Sequence, residues 1–200
     1  MTSFKGLFDC LYDPIPKDKE GWLSQRRKGI GGSDAGIIEG VNRYTTLHEL
    51  WEDKTNRQKR PQVSNHAIEM GNRLEPVMFN LFEALYVNDY EVIDTKDYSL
   101  SRKDKEWMRA NLDGALIRKD DGSTGILEIK STTINKWQYF QEEWGDDSMP
   151  QTYYCQCLHY MNVTGAEFVL LFAIAMMPWC DETKTIIRRI ERRCSYDQLS

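Results

Sequence analysis

Three residues carry the chemistry this sequence spells most plainly: Asp113, Glu128 and Lys130. Side chains alternate across a strand, so in Leu127-Glu128-Ile129-Lys130 the Glu and Lys leave one face and Ile129 leaves the other. Asp113 joins their face if a hairpin pairs it opposite Lys130, which the turn at Lys119–Thr124 allows; a slip of one residue would turn it away. Carboxylates converging in this way suit a hard, oxygen-seeking cation such as Mg²⁺ or Mn²⁺, with the Ile129 backbone carbonyl as a further ligand. A lysine beside that cation can orient an attacking water or accept its proton. An E-x-K pair on the surface of an amphipathic strand would look the same in isolation. The aliphatic neighbours Ile126, Leu127 and Ile129 shift the balance, because unpaired charge next to a core is costly and a bound metal offsets that cost.

The elements that must hold these residues can be read from pattern. Residues 1–20 read as an arm, followed by a short helix over Trp22–Lys28 that Gly29-Ile30-Gly31-Gly32 ends. Ser33-Asp34 opens a second helix through Glu39, with Asp34 at the positive end of its dipole. Thr46 and Glu49 have capping-box spacing, and Asn56–Ser64 reads as a loop. A long helix is expected over His66–Val87, burying Met70, Leu74, Val77, Met78, Leu81, Phe82 and Leu85, with a kink or a broken hydrogen bond at Pro76. Glu91–Leu100 reads as a strand, and Ala110–Arg118 with Gly125–Ser131 as a hairpin turned at Asp-Gly. A helix from Ser148-Met149-Pro150-Gln151, with a capping box, reaches Asn162; strands follow over Glu167–Met177 and Thr183–Arg193. This order predicts an α/β fold, a mixed central sheet flanked by helices, in one domain over residues 1–200.

Composition bounds the class. With 40% hydrophobic and 28% charged residues among 200, the chain reads as globular. The longest apolar run, Phe168–Pro178, is shorter than the ~20 residues that span a bilayer, and the N-terminus lacks a signal layout. The five cysteines show no zinc or disulfide spacing, which argues for reduced thiols and against a zinc hydrolase. A net charge of −5 argues against nucleic acid until it is divided along the chain. Residues 1–60 hold 11 Lys and Arg against 9 Asp and Glu, and the acidic surplus lies beyond them. There it includes the proposed ligands as well as pairs such as Glu142-Glu143 and Asp146-Asp147 that should face solvent.

From Trp22 to Arg193 the sequence resembles the YqaJ-type viral recombinases, relatives of lambda exonuclease within the PD-(D/E)xK nuclease superfamily. The resemblance rests on five elements in order: W-x3-R…GGSD at Trp22–Asp34, G-x3-E at Gly71–Glu75, LDG at Leu112–Gly114, LEIK at Leu127–Lys130 and Y-x2-Q at Tyr153–Gln156. It implies a restriction-endonuclease-like core. Asp113, Glu128, Glu75 and the Ile129 carbonyl would bind metal, two ions per site, with Lys130 as the catalytic lysine and Gln156 reaching in from the later helix. Arg26 and Ser33 would grip a terminal 5′-phosphate, which suits an arginine fork and helix N–H groups, with Lys136 assisting. Asn111 and Tyr153 fall among the DNA-contacting positions, and Ile68 matches an apolar wedge that parts duplex ends. Asn111 and Leu112 precede Asp113 where many relatives have proline, which changes the turn but not the ligand. Ser195-Tyr196-Asp197 reads as the cap of another helix just before Ser200.

The resemblance implies an Mg²⁺-dependent exonuclease that trims double-stranded DNA 5′ to 3′ and leaves 3′ overhangs. It also implies the cytoplasm of a bacterium or phage-infected host, a single-strand annealing protein as partner, and a homotrimer. The alternatives are a structure- or site-directed endonuclease on the same core and a non-catalytic DNA-end or protein-binding module.

Overall fold

A computed structural model describes residues 3–57 and 66–192. Along the chain these form β1 (Cys10–Pro14), α1 (Lys19–Arg27), α2 (Gly32–Ile38), α3 (Leu47–Lys54), α4 (His66–Leu85), β2 (Tyr90–Ile93) and β3 (Tyr98–Arg102). They continue as β4 (Lys105–Ala110), β5 (Gly114–Arg118), β6 (Thr124–Thr133), α5 (Trp137–Trp144), α6 (Gln151–Thr164), β7 (Phe168–Met177) and β8 (Glu182–Glu191). The main sheet has five strands in the order β2-β5-β6-β7-β8. Only β6 and β7 are parallel, joined through the helical crossover α5–α6, as parallel neighbours require. The mixed sheet flanked by helices is as expected, and no helix of the described residues is long and apolar enough to cross a membrane.

A second, three-stranded antiparallel sheet, β1-β3-β4, was not foreseen. The expected arm is therefore in part structural: Phe4, Phe8 and Cys10 are buried, and β1 pairs with β3. The single strand expected over Glu91–Leu100 is two strands in different sheets, separated by a turn in which Thr95 is buried. Likewise Ala110 ends β4, and the chain passes through Asn111-Leu112-Asp113 before β5 begins in the other sheet. The Thr95 hydroxyl donates to the Leu112 carbonyl and so fixes this crossing between sheets.

Local signals explain several helix ends. Asp18 caps α1, accepting from the Gly21 N–H at 2.8 Å, and Thr46 and Glu49 form the expected reciprocal box on α3. Helix α6 has no such box, because its N-cap is Pro150, whose carbonyl accepts from Tyr153 and Tyr154. Gly165 closes α6 at φ 76°, a left-handed conformation that glycine adopts without a Cβ clash.

Helix α4 continues through Pro76, but its buried stripe is narrower than the apolar pattern suggested. Met78, Phe79 and Phe82 are buried with Leu74 packed against them, whereas Met70, Val77, Leu81 and Leu85 are exposed. One helix side can meet a sheet over a limited arc, and seven apolar positions exceed it. The centre of that arc carries Glu75, which lies four residues before Phe79 and seven before Phe82. α4 covers the face of the main sheet that includes Leu127 and Ile129, while Cys157, Tyr160 and Met161 of α6 pack on the face that includes Ile126.

Candidate active site

The hairpin ladder pairs Gly114 with Leu127 and ends there, so β6 runs on through Thr133 with only β7 beside it. Asp113 stands just beyond the last pair, next to Glu128, not opposite Lys130 as the sequence suggested. The register differs by two residues, which preserves the face. On the side where β5 has left the ladder, the Ile129 N–H has no strand partner and donates to Asp113 Oδ2 at 2.7 Å. The split between two strands therefore gathers the carboxylates.

Glu128 is 1% exposed and faces α6, where Gln156 Nε2 donates to its Oε1 at 2.6 Å. Gln156 also donates to the Tyr160 hydroxyl at 3.1 Å, a partner one helical turn away that pattern alone could have suggested. The Lys130 ammonium lies 2.5 Å from Glu128 Oε1 and 5.4 Å from the centre of the Tyr153 ring. Burial, with the nearby Asp113 charge, pushes the Glu128 carboxyl up to about 8 despite Lys130. Burial opposes the charge on Lys130, yet the Glu128 and Asp113 carboxylates outweigh it and hold the ammonium above its usual range. Asp113 and Glu75 are also raised, both chiefly by burial, and Glu75 further by Asp113. Clustered carboxyls raised by burial, two of them further by a neighbouring carboxylate, are a common signature of a functional cleft.

Glu128 Oε2 is buried and has no hydrogen-bond partner. An orphaned carboxylate oxygen is expensive in a protein interior, and a hard cation is its natural partner. The donors on hand are all oxygens: Asp113, Glu128, Glu75 and the Ile129 carbonyl. Among the described residues no three His, Cys, Asp or Glu side chains form a ready-made metal cage. Asp113 is engaged with the backbone and Glu128 with Lys130, so a cation would have to compete with the ammonium for Glu128. The donor chemistry fits Mg²⁺ or Mn²⁺ and not a thiolate-seeking metal.

The front of the chain supplies a second group. Arg26 and Ser33 are both exposed, and Arg26 Nη2 donates to Ser33 Oγ at 3.3 Å, so the structure brings this expected pair together. The Arg26 guanidinium also lies over the Trp22 ring at 4.8 Å. α2 joins this group to the carboxylates: a Cβ on the buried Gly32 would stand 2.8 Å from Gln156 Cγ and clash with the Tyr160 ring. Lys136 precedes α5 with its ammonium over the Tyr139 ring, on a different element from Arg26 and Ser33. Asn111 is exposed between the two sheets. The Ile68 side chain and the Ser195–Asp197 segment lie outside the described residues.

Residues 21–167 match the YqaJ-like viral recombinase domain. The chain belongs to that family. Uncharacterized protein YqaJ of Bacillus subtilis (strain 168) is 35% identical over 168 residues, which cover 84% of this chain and 49% of that protein. This family member thus spans about half the length of that relative. In fold it is similar to an alkaline exonuclease, LHK-Exo, from Laribacter hongkongensis, with a TM-score of 0.61 and 20% identity over 88% of this chain and 83% of that one. The same enzyme in complex with dAMP aligns with a TM-score of 0.62 and 19% identity over the same shares. The YqaJ-like core is accordingly restriction-endonuclease-like, and its Asp113, Glu128 and Lys130 stand at the split between two strands of the main sheet.

The close contact at Gly32 leads to a direct expectation. Gly32→Ala should push Gln156 and Tyr160 away from Glu128 and lower any turnover by about 10²-fold, since displacements near 1 Å cost that much. Steady-state rates compared with melting temperatures check this, and a variant as active as the parent would contradict it.

Proposed function

We propose that this protein is a divalent-metal-dependent exonuclease that removes 5′-mononucleotides from linear double-stranded DNA. The observation that carries the reading is the buried Glu128 with its orphaned oxygen, placed between Asp113, Lys130 and Gln156. A divalent cation bound by Asp113, Glu128, Glu75 and the Ile129 carbonyl would supply Lewis-acid activation of water and charge neutralisation at the phosphate. Gln156 holds Glu128 in one orientation for that task, and Tyr160 holds Gln156. Lys130 stays protonated at neutral pH, so it orients the attacking water and stabilises negative charge on the phosphoryl oxygens. Tyr153 confines the ammonium from the other side.

Arg26 and Ser33 give the reaction its polarity by gripping a terminal 5′-phosphate, which sets the scissile bond over the carboxylates. Lys136 and Asn111 contact the nucleic acid further out, and the Ile68 position would meet the duplex end. Resection in the 5′-to-3′ direction leaves a 3′ overhang, the natural substrate of a single-strand annealing partner. The dAMP bound by LHK-Exo is consistent with a nucleoside monophosphate as product.

The test is digestion of linear duplexes with and without a 5′-phosphate, and of closed circles, in Mg²⁺ and in EDTA. Phosphorylated linear DNA should be degraded fastest, and EDTA should stop the reaction. Arg26→Ala should raise KM for phosphorylated ends by about 10- to 100-fold, the worth of one or two charge-assisted hydrogen bonds, while leaving 5′-hydroxyl ends unchanged. Cutting of circles at the linear rate would point instead to an endonuclease, and activity in EDTA would sink the metal mechanism.

A further inference from the structure

Lys54 ends α3, and its ammonium is 2.6 Å from Asp34 Oδ2 and 3.0 Å from the Arg26 carbonyl oxygen, to which it donates. Both partners belong to the phosphate-gripping region. Asp34 is 7% exposed, and the same Oδ2 accepts from the Gly31 N–H at 2.8 Å, so it joins the α1–α2 loop to α2. The Arg26 carbonyl belongs to the last turn of α1, where backbone acceptors lack helical partners and need a donor from elsewhere. One residue earlier on α3, Asp53 Oδ1 lies 3.6 Å from Arg27 Nε. The loop is pinned at its middle as well, through Ile30 N to Trp107 O at 2.7 Å and Arg109 N to Ile30 O at 2.8 Å.

We infer that Lys54 is a positioning residue for the terminal phosphate: it sets Arg26 against Ser33 without touching the phosphate itself. The inference rests on the reading of Arg26 and Ser33 as the phosphate grip. With its side chain only 15% exposed, the ammonium is largely spent on these two contacts. One contact is to the backbone of the residue that supplies the guanidinium. The other is to the side chain next to Ser33. An arginine fork recognises phosphate by geometry as well as charge, so freedom in the last turn of α1 weakens the grip before it affects the chemistry.

A purely stabilising role would change both substrates alike, and this separates the two cases. KM and kcat are measured on 5′-phosphorylated and 5′-hydroxyl linear duplexes for the parent, Lys54→Met, Asp34→Asn and Arg26→Ala proteins, with melting temperatures alongside. Lys54→Met should raise KM for phosphorylated ends about tenfold, the loss of one charged hydrogen bond, with kcat and the 5′-hydroxyl KM unchanged. Asp34→Asn keeps an oxygen for the Gly31 N–H but removes the charge that holds Lys54, so it should show the same split and serves if Lys54→Met fails to fold. If Arg26→Ala erases the phosphate preference while both other variants keep it, or change both ends equally, the inference is overturned and the grip stands. If Arg26→Ala itself leaves the preference intact, the grip fails and the inference with it.

Discussion

Lys130→Ala is expected to reduce phosphodiester hydrolysis by about 10³-fold while leaving DNA affinity close to that of the parent, as for loss of one preorganised charge-stabilising donor. The ammonium is 2.5 Å from Glu128 and 5.4 Å from the centre of the Tyr153 ring, and its side chain is only 22% exposed, which leaves little of it for a duplex to touch. Its contribution to ground-state binding is therefore small. Its proton is held tightly by the carboxylates, which makes it a fixed positive charge near neutral pH and a poor general base. A fixed charge aimed at the reacting phosphate acts mainly in the transition state, so the loss should fall on kcat. Removing it also strips Glu128 of its counter-charge, and the remaining activity should need a higher pH. Single-turnover cleavage, with affinity measured separately by anisotropy in Ca²⁺, checks the division. A fall in affinity that accounts for the whole loss, or a rate within tenfold of the parent, would remove Lys130 from the chemistry.

The sequence was most legible where short-range geometry decides position. Alternation alone puts Glu128 and Lys130 on one face of β6, and that placement does not depend on any tertiary contact. Asp113 was harder, because its place depends on where a ladder stops. Pairing ends at Gly114 and Leu127 since the preceding chain leaves for a second sheet, and nothing local in Asn111-Leu112-Asp113 announces that departure. The missed sheet has the same cause: β1 and β3 are distant in sequence, and their pairing is a long-range choice. On α4 the apolar pattern was wider than the buried arc, so the residues were right in kind but only part of the stripe meets the sheet. Glu75 gains its position from that arc. The link from Lys54 to Arg26 and Asp34 joins α3 to α1 and α2, and no spacing within any one of them reveals it.

Glu128→Gln should lower activity by about 10³-fold or more and, in the metal-free protein, should also change how stability depends on pH. The sign follows from the buried carboxyl. In the folded chain it titrates at about 8, against 4.5 for an ordinary glutamate, because burial disfavours its charge. Between those values the folded protein holds a proton that the unfolded chain has lost. Glu128 therefore contributes stability that is fully present below pH 4.5 and is lost as pH rises through 8. Glutamine fits the same space, can still accept from Lys130 through its amide oxygen, and does not titrate. The stability difference between variant and parent in EDTA should thus move in favour of the variant from pH 5 to pH 8, as read by urea unfolding. Metal should reverse the trend in the parent alone, because a cation binds the ionised carboxylate and so stabilises most where the proton has left. By the same linkage, the acidic limb of parental activity should shift down by about one pH unit for each tenfold rise in Mg²⁺ at saturating levels. An active Glu128→Gln protein, or a difference that moves the other way with pH, would mean that Glu128 is not the buried, metal-seeking carboxylate on which the mechanism depends.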